Sequence, residues 1–375
     1  MLNWNTIYRI LTEFLFVLAI SFAFQWFYND TTIKYVSYKR LLNSKEERAL
    51  KRIADQLVGN GKGILAADES IGTIGKRFAE VGLENTEENR RKYRQMLFTT
   101  PKLGEHISGI ILFEETFYQK NDDGLLFVDI IRNQGILIGI KLDQGLQALG
   151  SSSQETITKG LSGLAEKAAE FKKGGCEFAK WRSVYHIGPG HPSAEAVYRN
   201  AKSLARFAAI CQKAGLVPII EPEVLSDGDH SIFQAQLVQE KVLSYVYKAL
   251  NDYNVYLEGT LLKASMVYSG RSSIHKNTPE EIGEATVVTL RRTVPVAVPG
   301  IVFLSGGQLE EEATKNLGAI NMVAGVKPWK LTFSYGRALQ TSALKAWNGT
   351  DVIAGQHAFY ERAMLNCLVV LGRSK

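Results

Sequence analysis

The chain has few of the residues that cross-link small proteins or bind metals in them. Its 375 residues include three cysteines, Cys176, Cys211 and Cys367, which are odd in number and far apart. No CxxC pair is present, and the six histidines show no metal-ligand spacing. These absences argue against a disulfide framework and a zinc site, and they fit a reducing compartment. We therefore expect no structural disulfide, no metal and no cofactor.

Linkers and basic tracts are also scarce. The chain has nine prolines, and no Pro/Gly/Ser-rich linker interrupts residues 40–350. An apolar content of 45% is enough for one large core, so we expect a single α/β domain rather than two. The net charge of +6 is spread along the chain without a basic stripe. This charge weakly indicates an anionic partner and argues against nucleic acid as the main one.

The first 36 residues differ in composition from the rest. Phe14–Phe24 is an apolar run broken only by Ser21. This run is shorter than the roughly 20 residues that a membrane span needs, and Ile7–Tyr28 reaches that length only by including two charged residues and a glutamine. A membrane anchor, the apolar core of a signal peptide and a disordered leader are the alternatives. We expect residues 1–36 to form a separate apolar leader and residues 37–375 to form the folded domain.

The sequence does contain eight short apolar runs that end in polar or charged residues. The runs end at Asp68, Glu115, Asp143, Arg182, Glu223, Lys263, Gly306 and Arg337. Three of the ends carry charged residues two positions apart, namely Lys141 and Asp143, Lys180 and Arg182, and Glu221 and Glu223. Because side chains i and i+2 lie on one face of a strand, such ends are typical of strands that line a site.

Helix-like segments separate these runs. The clearest are Thr86–Phe98, Gly160–Lys173, Ser193–Ala214, Ser231–Asn251, Pro279–Arg292, Glu310–Met322 and Arg337–Trp347. Alternation of strands and helices predicts a parallel sheet. Eight such units over about 250 residues indicate a (β/α)8 TIM barrel, whose active site lies at the C-terminal ends of the strands. The alternative is an open doubly wound sheet, which rarely carries functional groups at the end of nearly every strand.

Lys263 ends the sixth run and is the candidate nucleophile. A lysine that faces a barrel interior is removed from water, which favours its neutral form, and a nearby Lys180 or Lys141 would strengthen this effect. Neutral lysine attacks carbonyl groups and forms Schiff bases. The alternative is an ordinary strand-end lysine in a salt bridge. For this residue taken alone, that alternative is the stronger one.

Glu221 and Glu223 are the candidate acid/base pair. Two carboxylates close together raise the pKa of one of them, which suits proton transfer. The alternative is that both are ion-pair partners of Lys180 and Arg182, and the two roles are compatible. Asp68 adds a third acid at the end of the first run, for which a helix cap would be the commoner role.

The ends of the seventh and eighth runs form a candidate phosphate site. Ser305–Gly307 follows the seventh run, and Gly336-Arg337 ends the eighth. Glycines let backbone N–H groups approach an anion, and arginine adds a bidentate donor. The loops after strands seven and eight are the usual phosphate site of TIM barrels, while Lys141 and Arg77 would serve a second anionic group. These features together favour Schiff-base carbon–carbon chemistry on a phosphorylated carbonyl compound.

Seven longer motifs resemble those of class I fructose-bisphosphate aldolases. They are Gly61–Ser70, Glu84–Arg91, Ala179–Arg182, Glu221–Glu223, Leu257–Lys263, Phe303–Gln308 and Leu331–Gln340. The resemblance runs in one order from about residue 40 to about residue 372. It implies a cytoplasmic lyase of glycolysis with a TIM barrel, usually a homotetramer. The implied reaction is cleavage of fructose 1,6-bisphosphate to dihydroxyacetone phosphate and glyceraldehyde 3-phosphate through a lysine Schiff base.

The resemblance also implies roles for individual residues. Lys263 would be the Schiff-base lysine, Glu221 the acid/base that acts on the carbinolamine, and Glu223 its assistant. Asp68 would act on the substrate hydroxyl, and Lys180 would keep Lys263 reactive. Lys141 and Arg182 would contact substrate oxygens or phosphate. One phosphate site is matched by Ser305, Gly306, Gly307, Ser334, Gly336 and Arg337, and the other end of the substrate by Ser70, Thr73 and Arg77.

Three features depart from the family pattern. Ala264 and Ser265 follow Lys263 where the family has proline and then asparagine or serine, so we expect a modest loosening of this strand end. Animal members end in a flexible tail whose last tyrosine helps to protonate the enamine. The chain ends at Lys375 without that tail, so we expect slow turnover of the bisphosphate. The apolar leader has no counterpart in the family.

Two alternative functions are left open by the sequence. One is a catalytically weakened aldolase paralogue that acts as a binding or scaffold protein, with cytoskeletal partners or a membrane tether through residues 7–28. Relatives of the family bind actin filaments and proton-pump subunits. The other is a Schiff-base aldolase that acts on a monophosphate. The presence of Lys263, Glu221 and Asp68 favours an active enzyme that uses sugar phosphates.

Overall fold

The computed structural model describes Asn3, residues 41–150 and residues 152–373. The chain divides after Arg40, and the barrel belongs to the unit Leu41–Lys375. Apart from Asn3, the leader with its segment Ile7–Tyr28 lies outside the described residues, so its predicted roles stay predictions. Within the part of the chain that the structure describes, no helix is both long and apolar enough to cross a bilayer.

The strands confirm the predicted barrel. They are β1 (Gly63–Ala67), β2 (Ile107–Leu112), β3 (Leu137–Lys141), β4 (Leu146–Leu149), β5 (Ser152–Thr158), β6 (Phe178–Tyr185), β7 (Val217–Val224), β8 (Leu261–Ala264), β9 (Gly300–Phe303) and β10 (Lys330–Tyr335). All except β4 and β5 pair in parallel in the order β1–β2–β3–β6–β7–β8–β9–β10. The sheet closes because β10 pairs with β1, with Ser334 opposite Ile64. This closure excludes the open doubly wound alternative.

Helices alternate with the barrel strands. They are α1 (Ser44–Leu57), α2 (Ile71–Ala79), α3 (Glu87–Phe98), α4 (Glu114–Tyr118), α5 (Phe127–Asn133), α6 (Leu164–Lys173), α7 (Ala194–Lys213), α8 (Ile232–Asp252), α9 (Pro279–Thr293), α10 (Glu310–Met322), α11 (Arg337–Trp347) and α12 (Val352–Val370). Short 3-10 turns occupy Leu103–Glu105 and Leu257–Gly259. All seven predicted helices are present. The largest boundary difference is at α6, which begins four residues later than Gly160.

Side-chain caps explain where several outer helices begin. Ser193, Ser231 and Thr278 each accept a hydrogen bond at the side-chain oxygen from the backbone N–H three residues on. Ser70 caps α2 in the same way. A cap of this kind contributes about 1 kcal/mol. Ser70, predicted to contact substrate, therefore also fixes the start of a helix at the barrel mouth.

Apolar side chains fill the barrel near the beginnings of its strands. The cluster includes Phe178, Leu261 and Val302, and α1 covers it with Leu50 and Leu57 among other side chains. The rest of the core lies between the barrel and the surrounding helices. Because apolar packing occupies the N-terminal half of the barrel, the polar residues at the C-terminal ends of the strands are left to form a site.

Two parts of the structure differ from the sequence-based expectation. Strands β4 and β5 form an antiparallel hairpin after β3 that was not predicted. The run predicted to end at Glu115 is wrong in its last residues, since β2 stops at Leu112 and Glu114 begins α4. Glu115 forms an ion pair with Arg90 at 2.6 Å. Its charge therefore joins α4 to α3 rather than ending a strand.

Candidate active site

The polar strand ends converge on one cavity at the C-terminal mouth of the barrel. Its volume is about 790 Å³. The predicted site residues that line it are Asp68, Ser70, Thr73, Arg77, Lys141, Lys180, Arg182, Glu221, Glu223, Lys263, Ser305, Gly306, Ser334, Gly336 and Arg337. Gly307 lines a neighbouring cavity instead. The parallel strands thus bring together residues that lie up to about 270 positions apart in the chain.

Lys263 lies in a row of alternating charges. Its Nζ is 3.2 Å from Glu221 Oε1, and Glu221 Oε2 is 3.3 Å from Lys180 Nζ. Each of the three residues is only 4% exposed. Buried charges of this kind are stable only when paired. Lys263 therefore forms the salt bridge that the alternative interpretation predicted. Its partner in that salt bridge, Glu221, can also exchange a proton with it.

Lys180 has two further carboxylate partners. Its Nζ is 2.9 Å from Asp68 Oδ2 and 3.7 Å from Asp143 Oδ2. Burial would lower the pKa of Lys180, but Asp68, Glu221 and Asp143 together raise it well above its ordinary value. Lys180 is therefore a fixed cation. The spacing of two between Lys141 and Asp143 predicted a strand end that lines a site, but Asp143 was given no role there.

Asp68 is held as a carboxylate. Burial would raise its pKa, but Lys180, Lys141 and Lys263 lower the pKa far below the ordinary range. The residue that caps the adjacent helix α2 is Ser70. The helix-cap alternative for Asp68 is thus not supported, and its side chain is available to accept a proton or a hydrogen bond from a bound molecule.

Glu221 and Glu223 have different partners. Burial would raise the pKa of Glu221, but Lys180, Lys263 and Arg182 lower it. Glu223 forms an ion pair with the Nε of Arg182. The rise in pKa predicted for one member of the pair does not fall on Glu221, because the three cations outweigh the effect of burial there. Both residues are ion-pair partners, as the alternative proposed.

Lys141 is a second partly dehydrated lysine of the cavity. Its Nζ lies 4.7 Å from the centre of the Phe113 ring, a cation–π distance. Burial lowers the pKa of Lys141, and Lys180 adds to this effect while Asp68 opposes it. Lys141 thus offers a cation that is weakly hydrated and ready to contact an anionic oxygen.

Free donors mark the predicted phosphate site after β9 and β10. The N–H groups of Gly306 and Gly307 donate to no backbone or side-chain acceptor among the residues that the structure describes. Ser334 Oγ is buried and likewise unpartnered in that part of the chain. Burial lowers the pKa of the Arg337 guanidinium, and Arg77 nearby lowers it further. Unused donors beside a guanidinium are the features of an anion site.

Glu69 and Arg94 position Arg77, which lies near Arg337 in the same cavity. The Glu69 carboxylate accepts hydrogen bonds from Arg77 Nη1, from Arg94 Nη2 at 2.5 Å and from Gln340 Nε2 at 3.1 Å. Burial would raise the pKa of Glu69, but Arg77 and Arg94 lower it. Neither Glu69 nor Arg94 was predicted. Glu69 directly follows Asp68, and only the fold shows that this neighbouring acid also lies at the site.

The end of β8 is held in place by hydrogen bonds although proline is absent after Lys263. The backbone N–H of Leu304, the residue that follows β9, donates to Ala264 O at 3.0 Å. Ser265 Oγ donates to Val224 O at 2.9 Å, and Ser265 O accepts from Gln239 Nε2 at 2.7 Å. These bonds tie the strand end to β7, β9 and α8. The loosening expected from Ala264 is therefore offset by its surroundings.

This arrangement defines a class of enzyme. A buried lysine in contact with a carboxylate, a second ionised carboxylate and anion donors suit a lyase that forms Schiff bases with phosphorylated carbonyl compounds. Within the described part of the chain, no group of three or more His, Cys, Asp or Glu side chains is arranged to hold a metal ion.

Comparisons with known proteins place the chain in one family. The family model for fructose-bisphosphate aldolase class-I matches residues 49–375. Fructose-bisphosphate aldolase 2 of Caenorhabditis elegans is 58% identical over 339 residues, covering 90% of this chain and 93% of that protein. Human fructose-bisphosphate aldolase B is 54% identical over 335 residues, covering 88% and 92%.

A solved structure agrees with these matches. Fructose-bisphosphate aldolase from Plasmodium falciparum, in complex with TRAP and a small-molecule inhibitor, has a TM-score of 0.88 and 50% sequence identity, covering 90% of this chain and 98% of that chain. The chain belongs to the class I fructose-bisphosphate aldolase family. Like that family, it is a lyase built on a (β/α)8 barrel.

Proposed function

We propose that the chain cleaves fructose 1,6-bisphosphate to dihydroxyacetone phosphate and glyceraldehyde 3-phosphate in glycolysis, with Lys263 as the Schiff-base residue. The observation that carries this proposal is the buried contact of Lys263 with Glu221 at 3.2 Å, in a cavity that also holds Asp68 and free anion donors. A retro-aldol reaction uses all of these groups, namely a lysine nucleophile, carboxylates that transfer protons and donors that bind phosphate.

Lys263 and Glu221 share one transferable proton. Transfer from the ammonium to the carboxylate gives a neutral amine beside a carboxylic acid. The amine attacks the C2 ketone of the sugar, and Glu221 then gives its proton to the departing hydroxyl, so that water leaves and an iminium forms. Glu223, oriented by Arg182, assists from the same strand.

The iminium nitrogen then accepts the electrons of the C3–C4 bond. Asp68 takes the proton of the C4 hydroxyl, the C3–C4 bond breaks, and glyceraldehyde 3-phosphate leaves as the aldehyde. The electron pair forms an enamine on Lys263. Protonation of the enamine at C3 and hydrolysis of the resulting iminium release dihydroxyacetone phosphate. Lys180 stays protonated throughout and keeps the Asp68 carboxylate in position at 2.9 Å.

The two phosphates of the sugar have separate partners in this proposal. The loop Ser305–Gly307 follows β9. The backbone N–H of Leu304, just before this loop, donates to the carbonyl oxygen of Ala264, the residue after Lys263. Because this bond brings the loop close to Lys263, the loop serves the phosphate beside the ketone. The residues for that phosphate are Ser305, Gly306, Gly307, Ser334, Gly336 and Arg337. Ser70 and Thr73, at the start of α2, and Arg77, in its last turn, serve the other phosphate. Lys141 and Arg182 contact oxygens between them.

We further propose a cytoplasmic homotetramer in which residues 37–375 form the barrel domain and residues 1–36 a separate leader. Exposed apolar side chains on adjacent helices, Tyr198 on α7 and Phe233 and Leu237 on α8, support a surface for self-association. Sedimentation of the full-length chain tests this assembly, and a stable monomer would overturn it. Cytoskeletal partners and a membrane tether through residues 7–28 are tested by fractionation of cells that express the chain with and without its leader.

Activity is tested by following the cleavage of fructose 1,6-bisphosphate in a coupled assay of triose phosphate release. Lys263→Arg keeps the charge but cannot form the Schiff base, so we expect it to lose roughly a thousandfold or more of kcat. Fructose 1-phosphate is assayed in parallel. A higher kcat/KM on the monophosphate would favour the monophosphate aldolase. No cleavage of either sugar by the folded wild type would favour the scaffold protein.

A further inference from the structure

We propose that Arg271 is a positioning residue for the loop Ser305–Gly307, and that it sets the enzyme's preference for a ketose with a phosphate beside the carbonyl. This inference rests on the function proposed above. Arg271 lies after β8, lines the cavity next to the active-site cavity, and belongs to none of the motifs that the sequence pointed to.

Arg271 forms a closed set of hydrogen bonds with the loop and with Ser226. Its Nη2 donates to Gly306 O at 3.2 Å, and its Nε donates to Ser226 Oγ at 3.3 Å. Ser226 Oγ donates in turn to Gly306 O at 3.4 Å. The backbone N–H of Arg271 also donates to Ser226 O at 2.8 Å. Arg271 therefore joins the loops that follow β7, β8 and β9.

Because the peptide bond is planar, the hydrogen bond to the Gly306 carbonyl also sets the direction of the Gly307 N–H. In a trans peptide the carbonyl oxygen and the following N–H point in opposite directions. Because Arg271 holds the Gly306 carbonyl, the N–H of Gly307 is directed away from the guanidinium. Gly306 lines the active-site cavity, and we assign this N–H to a phosphate bound there. A hydrogen-bonded carbonyl also polarises its peptide group, so this N–H becomes a stronger donor to an anion.

The fit between Arg271 and the loop is close. A Cβ atom on Gly307 would lie 1.8 Å from Arg271 Nη2, and one on Gly306 would lie 2.8 Å from the Tyr268 hydroxyl. Both glycines have positive φ, +61° and +109°, which other residues rarely adopt. The guanidinium therefore occupies the space beside the loop that a side chain would need, and it leaves the loop little freedom to turn.

Arg271 also adds positive charge to the phosphate site. Burial lowers the pKa of Arg337, and Arg77 and Arg271 lower it further. Among the described residues, Arg77 has the carboxylate partner Glu69, while neither Arg337 nor Arg271 forms an ion pair. A phosphate dianion bound beside Arg337 would relieve the repulsion between the Arg337 and Arg271 guanidinium groups.

The test compares phosphorylated and unphosphorylated ligands in matched variants. For Arg271→Gln we expect kcat/KM on fructose 1-phosphate to fall about tenfold and the inhibition constant of inorganic phosphate to rise about tenfold. Borohydride trapping of dihydroxyacetone, which has no phosphate, should stay at the wild-type rate. Arg271→Lys keeps the charge but loses the two-pronged contact, so it should resemble Arg271→Gln. Lys315→Gln removes a cation from the same neighbouring cavity and should behave like the wild type.

Three results would overturn the proposal. An equal loss of dihydroxyacetone trapping in Arg271→Gln would show a general structural role. An equal effect of Lys315→Gln would show long-range charge rather than positioning, and unchanged phosphate binding in Arg271→Gln would show no role at all. A failure of the proposed function is distinct, because the wild type itself would then cleave no sugar phosphate. Calorimetric titration with inorganic phosphate would still compare the variants in that case.

Discussion

At the scale of single residues, each charged group of the site depends on its neighbours for its protonation state. Lys180 remains a cation because Asp68, Asp143 and Glu221 surround it. Asp68 and Glu221 remain carboxylates because of that cation and Lys263. Removing one member leaves a buried charge without its partner, which costs several kcal/mol. The charge states that the retro-aldol reaction needs are therefore a property of the group rather than of any one residue.

Glu69→Gln is expected to destabilise the protein in a manner that depends on pH. Burial would raise the pKa of Glu69, but Arg77 and Arg94 bring it below its ordinary value of 4.5. Such a carboxylate adds stability above pH 4.5 that is lost as the pH falls through the lowered folded pKa. The variant should lose about 3 kcal/mol in free energy of unfolding near pH 7, with a smaller loss in acid.

Urea unfolding of wild type and Glu69→Gln across this pH range, at one protein concentration, measures the effect. Glu80→Gln is a suitable control, because Glu80 is exposed and forms no ion pair in the described part of the chain. If the difference in free energy of unfolding between wild type and Glu69→Gln stays constant from pH 7 into acid, the stabilising role of the ionised Glu69 is contradicted.

Strand-end position allowed many site residues and their mutual ion pairs to be predicted, but not the residues outside the strand ends that hold the site in place. Lys180, Arg182, Glu221 and Glu223 were recognised because alternation along a strand is visible in sequence. Arg271 and Gln239 were not recognised. Arg271 lies in an irregular loop, and Gln239 lies on α8, whose sequence pattern is that of an ordinary outer helix. Their importance comes from distances across the fold, which no local pattern encodes.

At the scale of elements, the end of β8 decides how well Lys263 is aimed. Gln239→Leu removes the donor to Ser265 O and leaves a buried carbonyl unsatisfied, which costs about 1–3 kcal/mol. We expect kcat for fructose 1,6-bisphosphate to fall about tenfold with little change in KM, because small errors in position act on the reacting geometry. Adding Ala264→Pro, which restricts the backbone, should restore most of the lost kcat.

Gln236→Leu serves as the matched control for this experiment. Gln236 is almost one turn earlier on α8 and donates to Glu240 Oε1 rather than to β8. If Gln236→Leu lowers kcat as much as Gln239→Leu does, or if Gln239→Leu leaves kcat unchanged, the strand end is not held by this hydrogen bond.

Element type was easier to predict than element boundaries. The barrel strands are continuous apolar runs because both faces are buried, and the helices between them have clear caps. The hairpin β4–β5 was missed because its short strands carry Ser, Gln and Thr and lack a regular apolar alternation. Glu114 and Glu115 were assigned to a strand end. Acidic residues are equally typical of the first turn of a helix, and the sequence pattern does not distinguish the two positions.

At the scale of the whole molecule, the barrel divides packing from chemistry. The N-terminal half is filled by apolar side chains and closed by α1, while the C-terminal half holds charges. Gly139 on β3 shows how tightly the first half is packed, since a Cβ there would lie 2.2 Å from the Phe178 ring. A rigid lower half provides a fixed frame for the charged groups above it.

Gly139→Ala is therefore expected to destabilise the protein by about 1–3 kcal/mol through overpacking. Phe178→Leu in the same chain should recover part of this loss because it makes room for the new methyl group. Gly72→Ala is the control, since a Cβ at Gly72 meets no atom within 4 Å. Thermal unfolding at one protein concentration compares the variants. Equal melting temperatures for Gly139→Ala and Gly72→Ala would contradict the close packing of the barrel interior.

The central claim is that Lys263 is an aimed nucleophile. It is tested most directly by treating the folded chain with dihydroxyacetone phosphate and borohydride and locating the reduced adduct by peptide mass spectrometry. We expect the adduct on Lys263 and its loss in Lys263→Arg. A folded wild-type chain that forms no adduct, or that forms it on Lys141 or Lys180 instead, would contradict the assignment of the Schiff base and the mechanism built on it.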